Sequence, residues 1–98
     1  MIEDAPILTM RRDFPRPAKE QIARLAGVPI GYLVDCMDGS GALDWRIKAL
    51  PETYTPGPAP MILGPAVTCF CGPADNLAVF GAVAAARPGD VIVAATEQ

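Results

Sequence analysis

The sequence predicts a small α/β fold centred on a βαβ unit at about residues 61–96. Three observations predict it: a short apolar run at 61–70 (MILGPAVTCF), a segment of helical length at 75–86 (DNLAVFGAVAAA) and a second apolar run at 90–96 (DVIVAAT). Two short apolar runs joined through a helix by tight links are typical of parallel strands with a crossover helix. We therefore expect two parallel strands, both buried on both faces and joined by a right-handed crossover.

The chain has the size and composition of one small domain. It has 98 residues, of which 51% are apolar and 19% charged, and its net charge is −3 from 8 basic and 11 acidic residues. This charge disfavours nucleic acid as a partner, because only the short basic patch at 11–16 (RRDFPR) could oppose a phosphate backbone. No apolar run reaches the roughly 20 residues of a membrane span, and the acidic start is unlike a secretory signal. We expect no membrane partner and a cytoplasmic location.

The N-terminal part predicts an irregular arm and a first helix. Residues 1–17 contain three prolines, which prevent a regular element of any length. Residues 16–27 (RPAKEQIARLAG) predict a helix with Pro17 in its first turn and Gly27 as a left-handed stop.

A second helix and a long connection follow. Residues 30–39 (IGYLVDCMDG) predict a short helix that ends at Gly39. Residues 40–60 are loop-like, although the alternation at 45–50 (WRIKAL) leaves a brief strand as the alternative.

Three cysteines, Cys36, Cys69 and Cys71, predict reduced thiols, because their number is odd and small for a disulfide framework. Cys69 and Cys71 are two positions apart and lie on one face if the segment is extended. With no histidine and no second cysteine pair, the thiols of this chain cannot complete a tetrahedral zinc site. We interpret Cys69 and Cys71 as buried apolar side chains.

The carboxyl ends of the two predicted strands mark the expected site, because ligands of open parallel sheets bind outside these ends. The candidate loop is 69–76 (CFCGPADN), which has one glycine and no lysine and so does not match a phosphate-binding loop. Asp75 and Asn76 are either caps of the following helix or functional side chains. Asp35 lies within an apolar helical stretch, where a carboxylate is solvent-facing, a cap or functional.

The chain resembles the RraA-like family over residues 64–96 (GPAVTCFCGPADNLAVFGAVAAARPGDVIVAAT). The segments LVDCMDG and IKAL, which precede this range, are part of the same resemblance. This family includes the 4-hydroxy-4-methyl-2-oxoglutarate/oxaloacetate aldolases and the regulator of ribonuclease activity A. Its pattern is a Gly-x-Ala-x-Thr strand, an Asp-Asn helix start and Pro-Gly-Asp-Val before an aliphatic strand. The matching residues are Gly64, Ala66, Thr68, Asp75, Asn76, Pro88, Gly89, Asp90 and Val91. The resemblance covers roughly residues 18–96.

The resemblance implies a swivelling-type β/β/α domain that assembles as a homotrimer, with a divalent metal, Mg or Mn, between subunits. It implies a metal-dependent lyase that acts on a small 2-oxo acid, either 4-hydroxy-4-methyl-2-oxoglutarate or oxaloacetate, and releases pyruvate. Asp35 and Asn76 would then line the pocket as supporting catalytic residues, and Asp75 and Asn76 would contact the substrate. The alternatives are a non-catalytic regulator that binds an RNA-degradation enzyme, or an inactive truncated product.

The chain also departs from the family pattern. The family signature is a glycine followed further along by an Arg-Asp pair that holds substrate and metal, but the only Arg-Asp pair here is Arg12-Asp13 in the arm. The resemblance therefore implies a single partial domain over 1–98, corresponding to the N-terminal part of the family domain, with no metal ligand in this chain. Ala74 also stands where relatives often have glycine, a difference that affects the loop.

Overall fold

Two parallel strands joined by a helix form the centre of the structure, as the sequence predicts. The computed structural model describes residues 8–48, 50 and 61–96. Within these ranges the elements, in chain order, are α1 (Lys19–Ala23), α2 (Ile30–Cys36), β1 (Ala66–Cys71), α3 (Leu77–Ala85) and β2 (Val91–Thr96). The result is a mixed α/β fold in which α3 packs mainly on β1 and to a smaller extent on β2.

The register of the sheet sets where each strand begins and ends. Ala66 pairs with Val91 at one edge, and Cys71 pairs with Thr96 at the other. Because the strands run in the same direction, both starts share one edge and both exits share the opposite edge. The predicted parallel arrangement is confirmed.

The expectation that both strands are buried on both faces is wrong for the described residues. In β1 burial alternates, and in β2 every residue after Val91 is exposed. Phe70 is 63% exposed and Val93 is 49% exposed. The physical reason is that α3 covers one face of β1, and no other described element packs on the sheet.

The core is correspondingly small. Its buried apolar side chains in the described ranges are Val67, Cys71 and Ala82, and Gly81 is buried beside them. Val67 and Cys71 lie on one face of β1 because side chains alternate along a strand. The core is therefore the layer between this face of β1 and the small residues of α3.

The first helix is shorter than predicted, because it ends at Ala23 and residues 24–27 form a turn, whereas the second ends close to the predicted Gly39. After α1 the chain passes Gly27, which has φ +76°. After α2 the backbone N–H of Gly39 (φ +81°) donates to the carbonyl of Val34 at 2.9 Å, which closes the helix. No helix among the described residues combines the length and the hydropathy required to cross a membrane.

Residues 45–46 form a turn and residues 47–48 are not in a strand, so the alternative of a brief strand at 45–50 is wrong over 45–48. The Asp44 carboxylate accepts hydrogen bonds from the backbone N–H and the guanidinium of Arg46 at 2.9–3.0 Å. The backbone N–H of Ile47 donates to the Asp44 carbonyl at 2.9 Å. A side chain that bonds its own backbone two residues on stabilises a turn in competition with a strand.

The described part of the arm, residues 8–17, contains neither helix nor strand. It packs on α3 at Gly81, where an added Cβ would lie 3.2 Å from Leu8 Cδ2 and 3.3 Å from Met10 Sδ. The absence of a side chain at Gly81 therefore allows the arm to approach the helix closely.

Candidate functional site

A tight turn connects the exit of β1 to α3. The backbone N–H of Asp75 donates to the carbonyl of Gly72 at 3.2 Å, which encloses Pro73 and Ala74. Ala74 has φ +54°, and a proline followed by a residue of positive φ is the arrangement of a type II turn. This turn holds Asp75 and Asn76 at the carboxyl edge of the sheet, where a site was expected.

Asp75 and Asn76 play different parts at the start of α3. The Asp75 Oδ1 accepts a hydrogen bond from the backbone N–H of Leu77 at 2.9 Å. Asn76 occupies the N-cap position, but its side chain makes no capping hydrogen bond and is exposed. Asp75 thus has the capping function, while the amide of Asn76 is directed to no partner among the described residues.

Thr96, at the exit of β2, completes this edge of the described structure. It is exposed and pairs in register with Cys71, the residue that precedes the turn. The two strand exits therefore lie side by side, and residues 97–98 are outside the described part of the chain.

Asp35 lies on α2, and its side chain is exposed. Among the described elements, α2 makes no contact with β1, α3 or β2. No hydrogen bond or ion pair within the described residues joins Asp35 to Asp75 or Asn76. The described residues therefore show no direct interaction between Asp35 and the other two predicted site residues.

The two neighbouring thiols are not arranged as nucleophiles. Cys71 is buried, and Cys69 is half-buried beside an open groove of about 510 Å³ between the arm and the βαβ unit. Burial raises the pKa of the Cys69 thiol, and the neighbouring Cys71 raises it further. A raised pKa keeps the thiol protonated at neutral pH, so Cys69 has the character of a packing residue, as the sequence suggested.

The described residues do not form a metal centre by themselves. Among them, no three Cys, Asp or Glu side chains converge on one point. A divalent cation such as Mg²⁺ takes its ligands chiefly from oxygen atoms, and Asp75 already uses one carboxylate oxygen as a cap. Metal chemistry is therefore not assigned to these residues.

A partly buried ion pair that the sequence does not predict lies at the opposite edge of the sheet. The guanidinium of Arg16 donates to both Asp90 carboxylate oxygens, Nε to Oδ1 at 3.0 Å and Nη2 to Oδ2 at 2.8 Å. The backbone N–H of Arg87 also donates to Oδ2 at 2.8 Å. The Asp90 side chain is 2% exposed and that of Arg16 14% exposed, and Arg16 lies 4.4 Å from the ring centroid of Phe14.

This pair has clear electrostatic effects. The hydrogen bonds from Arg16 hold the pKa of the Asp90 carboxyl below its usual range, and the bond from the Arg87 backbone adds to this. The same contact raises the pKa of Arg16. In the sequence, Arg16 belongs to the basic patch at 11–16 and to the start of the predicted helix at 16–27, and Asp90 belongs to the Pro-Gly-Asp-Val motif. Neither pattern predicts that the two side chains form an ion pair. A turn-forming Pro-Gly-Asp sequence was the available sign that this carboxylate has a structural role.

Comparison with protein families decides the assignment. A family model described as RraA-like, Aldolase/RraA, matches residues 32–98, which is more than half of the chain. The chain belongs to the RraA-like family. Neither the comparison with curated proteins nor the comparison with solved structures gave a match.

The RraA-like match includes some predicted site residues and excludes others. Asp35, Asp75 and Asn76 fall within it, as does the turn before β2. Arg12 and Asp13 fall outside it, are exposed and make no side-chain hydrogen bond to the described residues. The match thus gives no support for Arg12-Asp13 as the family signature.

The turn before α3 leads to a first prediction, that Ala74→Gly stabilises this RraA-like chain. Ala74 is exposed and has φ +54°, so its Cβ contributes strain without packing. Because glycine adopts positive φ without that strain, we expect the free energy of unfolding to rise by about 1 kcal/mol. Urea unfolding of the two proteins at one pH measures this difference. Pro73→Gly, which removes the restricted φ of the same turn, is expected to change stability in the opposite direction.

Proposed function

We propose that this RraA-like chain contributes to a metal-dependent lyase that cleaves or decarboxylates a small 2-oxo acid in the complete protein. The observation that carries the proposal is the match to the Aldolase/RraA model over 32–98, a range that contains Asp35, Asp75 and Asn76. The proposed substrates are 4-hydroxy-4-methyl-2-oxoglutarate and oxaloacetate, with pyruvate as the product. A cytoplasmic location accompanies this proposal.

Asn76 is the residue whose local geometry best suits a direct role. Its amide is exposed, makes no capping bond and stands at the start of the nine-residue α3. An amide both donates and accepts hydrogen bonds, so it can hold a substrate oxygen or an ordered water. Backbone N–H groups in the first turn of a helix favour negative charge, which suits the carboxylate of a 2-oxo acid.

Asp75 supports this position through the backbone. One of its carboxylate oxygens fixes the first turn of α3 through the 2.9 Å bond from the Leu77 N–H. Its other oxygen has no hydrogen bond to the described residues and can accept one from a substrate hydroxyl. In this proposal Asp75 contacts substrate through that oxygen and orients Asn76 through the other.

The proposal requires groups that the described residues do not supply. A bound Mg or Mn ion would act as a Lewis acid on the 2-oxo group, and its ligands would come from outside the described residues. Asp35 lies on α2, which does not contact the βαβ unit in the described structure, and would join the pocket through assembly as a homotrimer. Both the metal and the trimer are parts of the proposal.

The direct test is release of pyruvate from each 2-oxo acid by the protein in its native assembly, with Mg²⁺ or Mn²⁺ added. We expect turnover, and we expect Asn76→Ala to lower kcat/KM about tenfold or more through the loss of one hydrogen bond to a charged group. Asn76→Asp retains a good N-cap residue but not the amide donor, so it separates loss of the amide from loss of helix stability. Absence of turnover of both acids with both ions would contradict the proposal.

A second candidate is a regulator that binds an RNA-degradation enzyme without catalysis. The observation that favours it is the acidic character of the chain, with a pI near 4.7, which suits a basic partner surface. Saturable, salt-sensitive binding to such a purified enzyme, together with no turnover of 2-oxo acids, would favour the regulator over the lyase.

A further inference from the structure

An open cavity of about 480 Å³, about half exposed to solvent, lies at the edge of the sheet where the strands begin, opposite to the site proposed above. Its walls come from three separate segments: the end of the arm with α1, the approach to β1, and the turn before β2. Its volume falls in the range of small-molecule sites in proteins. The RraA-like match and the lyase proposal assign nothing to this cavity.

The charged groups around the cavity are predominantly basic. Arg16, Lys19 and Arg87 line it, and the only carboxylate that lines it within the described part of the chain is Asp90. The Asp90 charge is compensated by the two-point contact with Arg16. Lys19 and Arg87 form no ion pair with the described residues and are exposed, so two cationic groups remain available to a ligand.

The remaining walls of the cavity are apolar and stiff. Ile22, on α1, and Leu63, before β1, are half-buried apolar side chains of the lining. Pro17, Pro65 and Pro88 lie in the same lining, and each has a restricted φ. Walls of this kind lose little conformational freedom when a ligand binds, which favours affinity.

We propose that this cavity binds a small organic carboxylate with an apolar body. The carboxylate lies between Lys19 and Arg87, and the apolar part packs on Ile22 and Leu63. An apolar lining with a few polar groups that fix orientation is the usual composition of such sites. This binding site is independent of the lyase proposal, because it lies at the opposite edge of the sheet and uses none of its residues.

Titration of the isotope-labelled protein with benzoate, followed by amide NMR, tests the proposal. We expect saturable shifts at Gly64, Gly89 and the backbone of α1, and no comparable shifts at Asn76. Benzyl alcohol, the neutral analogue, tests the need for charge, and inorganic phosphate tests the need for an apolar body. Each is expected to bind at least about tenfold more weakly than benzoate, since one charged contact or one buried ring is missing.

Variants identify the cavity as the site of binding. Lys19→Gln and Arg87→Gln are each expected to weaken benzoate binding by about threefold to tenfold. Arg24→Gln is the matched control, because Arg24 follows α1 and is exposed but does not line the cavity. It makes the same change in net charge and is expected to leave binding unchanged.

Three results would overturn the proposal. They are no saturable shift with benzoate, equal binding of benzyl alcohol or phosphate, and equal losses in Arg24→Gln and the two cavity variants. Benzoate binding and pyruvate release are measured in separate experiments. A negative result for benzoate binding therefore does not bear on the lyase proposal, and absence of pyruvate release does not bear on the binding site.

Discussion

Gly64→Ala is expected to destabilise the protein by roughly 3 kcal/mol, the upper range for overpacking at a site that cannot relax. A Cβ at position 64 would overlap the carbonyl oxygen of Gly89 and would lie 3.2 Å from Val91 Cγ2. The first of these neighbours is backbone, in the turn that positions Asp90, so it cannot rotate away. Urea unfolding followed by circular dichroism measures the change.

Gly72→Ala is the matched control for this substitution. Gly72 also lies beside β1, at its exit, but an added Cβ there would meet only Asp75 Cβ at 3.9 Å, an ordinary contact. We expect the stability of Gly72→Ala to stay within about 0.5 kcal/mol of the parent, as for most surface substitutions. Equal effects of the two substitutions would contradict the expectation that the close approach of Gly89 leaves no room for a side chain at position 64.

Asp90→Asn is expected to cause the second large loss of stability and to remove an acid-sensitive part of it. Because Arg16 and the Arg87 backbone hold the pKa of Asp90 below its usual range, this carboxylate stabilises the folded state fully above its unfolded pKa of about 3.9. That stabilisation is lost as the pH falls through the lower pKa of the folded state. In the parent, stability should therefore fall steeply below about pH 4, and in Asp90→Asn the fall should be shallower.

Thermal unfolding of both proteins between pH 7 and pH 3 measures this effect. The matched control is Asp44→Asn, since Asp44 also pairs with an arginine, but with side chains 44% and 74% exposed. Exposed pairs of this kind contribute little to stability, so we expect almost no change. Arg16→Lys is expected to resemble Asp90→Asn in part, because lysine lacks the two parallel N–H donors of the guanidinium and the planar group that lies over Phe14. Parallel pH curves for the parent and Asp90→Asn would contradict the assignment.

The βαβ unit could be predicted because its cues are local. The apolar runs, the helix between them and the turn residues lie within about 35 positions, and the structure has the same elements in parallel register. The burial of β2 could not be predicted in this way. An apolar run such as VIVAAT predicts a strand that is compatible with burial on both faces. It does not show whether another helix or strand packs on those faces.

The sequence predicts the location of the candidate site, but not the hydrogen bonds within it. The strand exits and the loop with Asp75 and Asn76 share one edge, but capping by Asp75 alone depends on the left-handed Ala74, which no periodicity reveals. Whether Asp35 joins them depends on packing of α2, which the described chain does not provide. The strand alternative at 45–50 is wrong over 45–48, because hydrogen bonds from Arg46 to the Asp44 carboxylate stabilise a turn and outweigh a weak alternation.

The ion pair between Arg16 and Asp90 also bears on the order in which the parts of the chain fold. It joins residues 74 positions apart, whereas the strand partners Ala66 and Val91 are only 25 positions apart (91 − 66). Contacts between distant positions require closure of a longer loop, so the strands and their helix are expected to form first. During synthesis Arg16 emerges well before its carboxylate partner exists. Until α3 has been synthesised, the apolar side chains of Leu8 and Met10 cannot pack at Gly81 and stay exposed to water, which favours aggregation of the nascent chain.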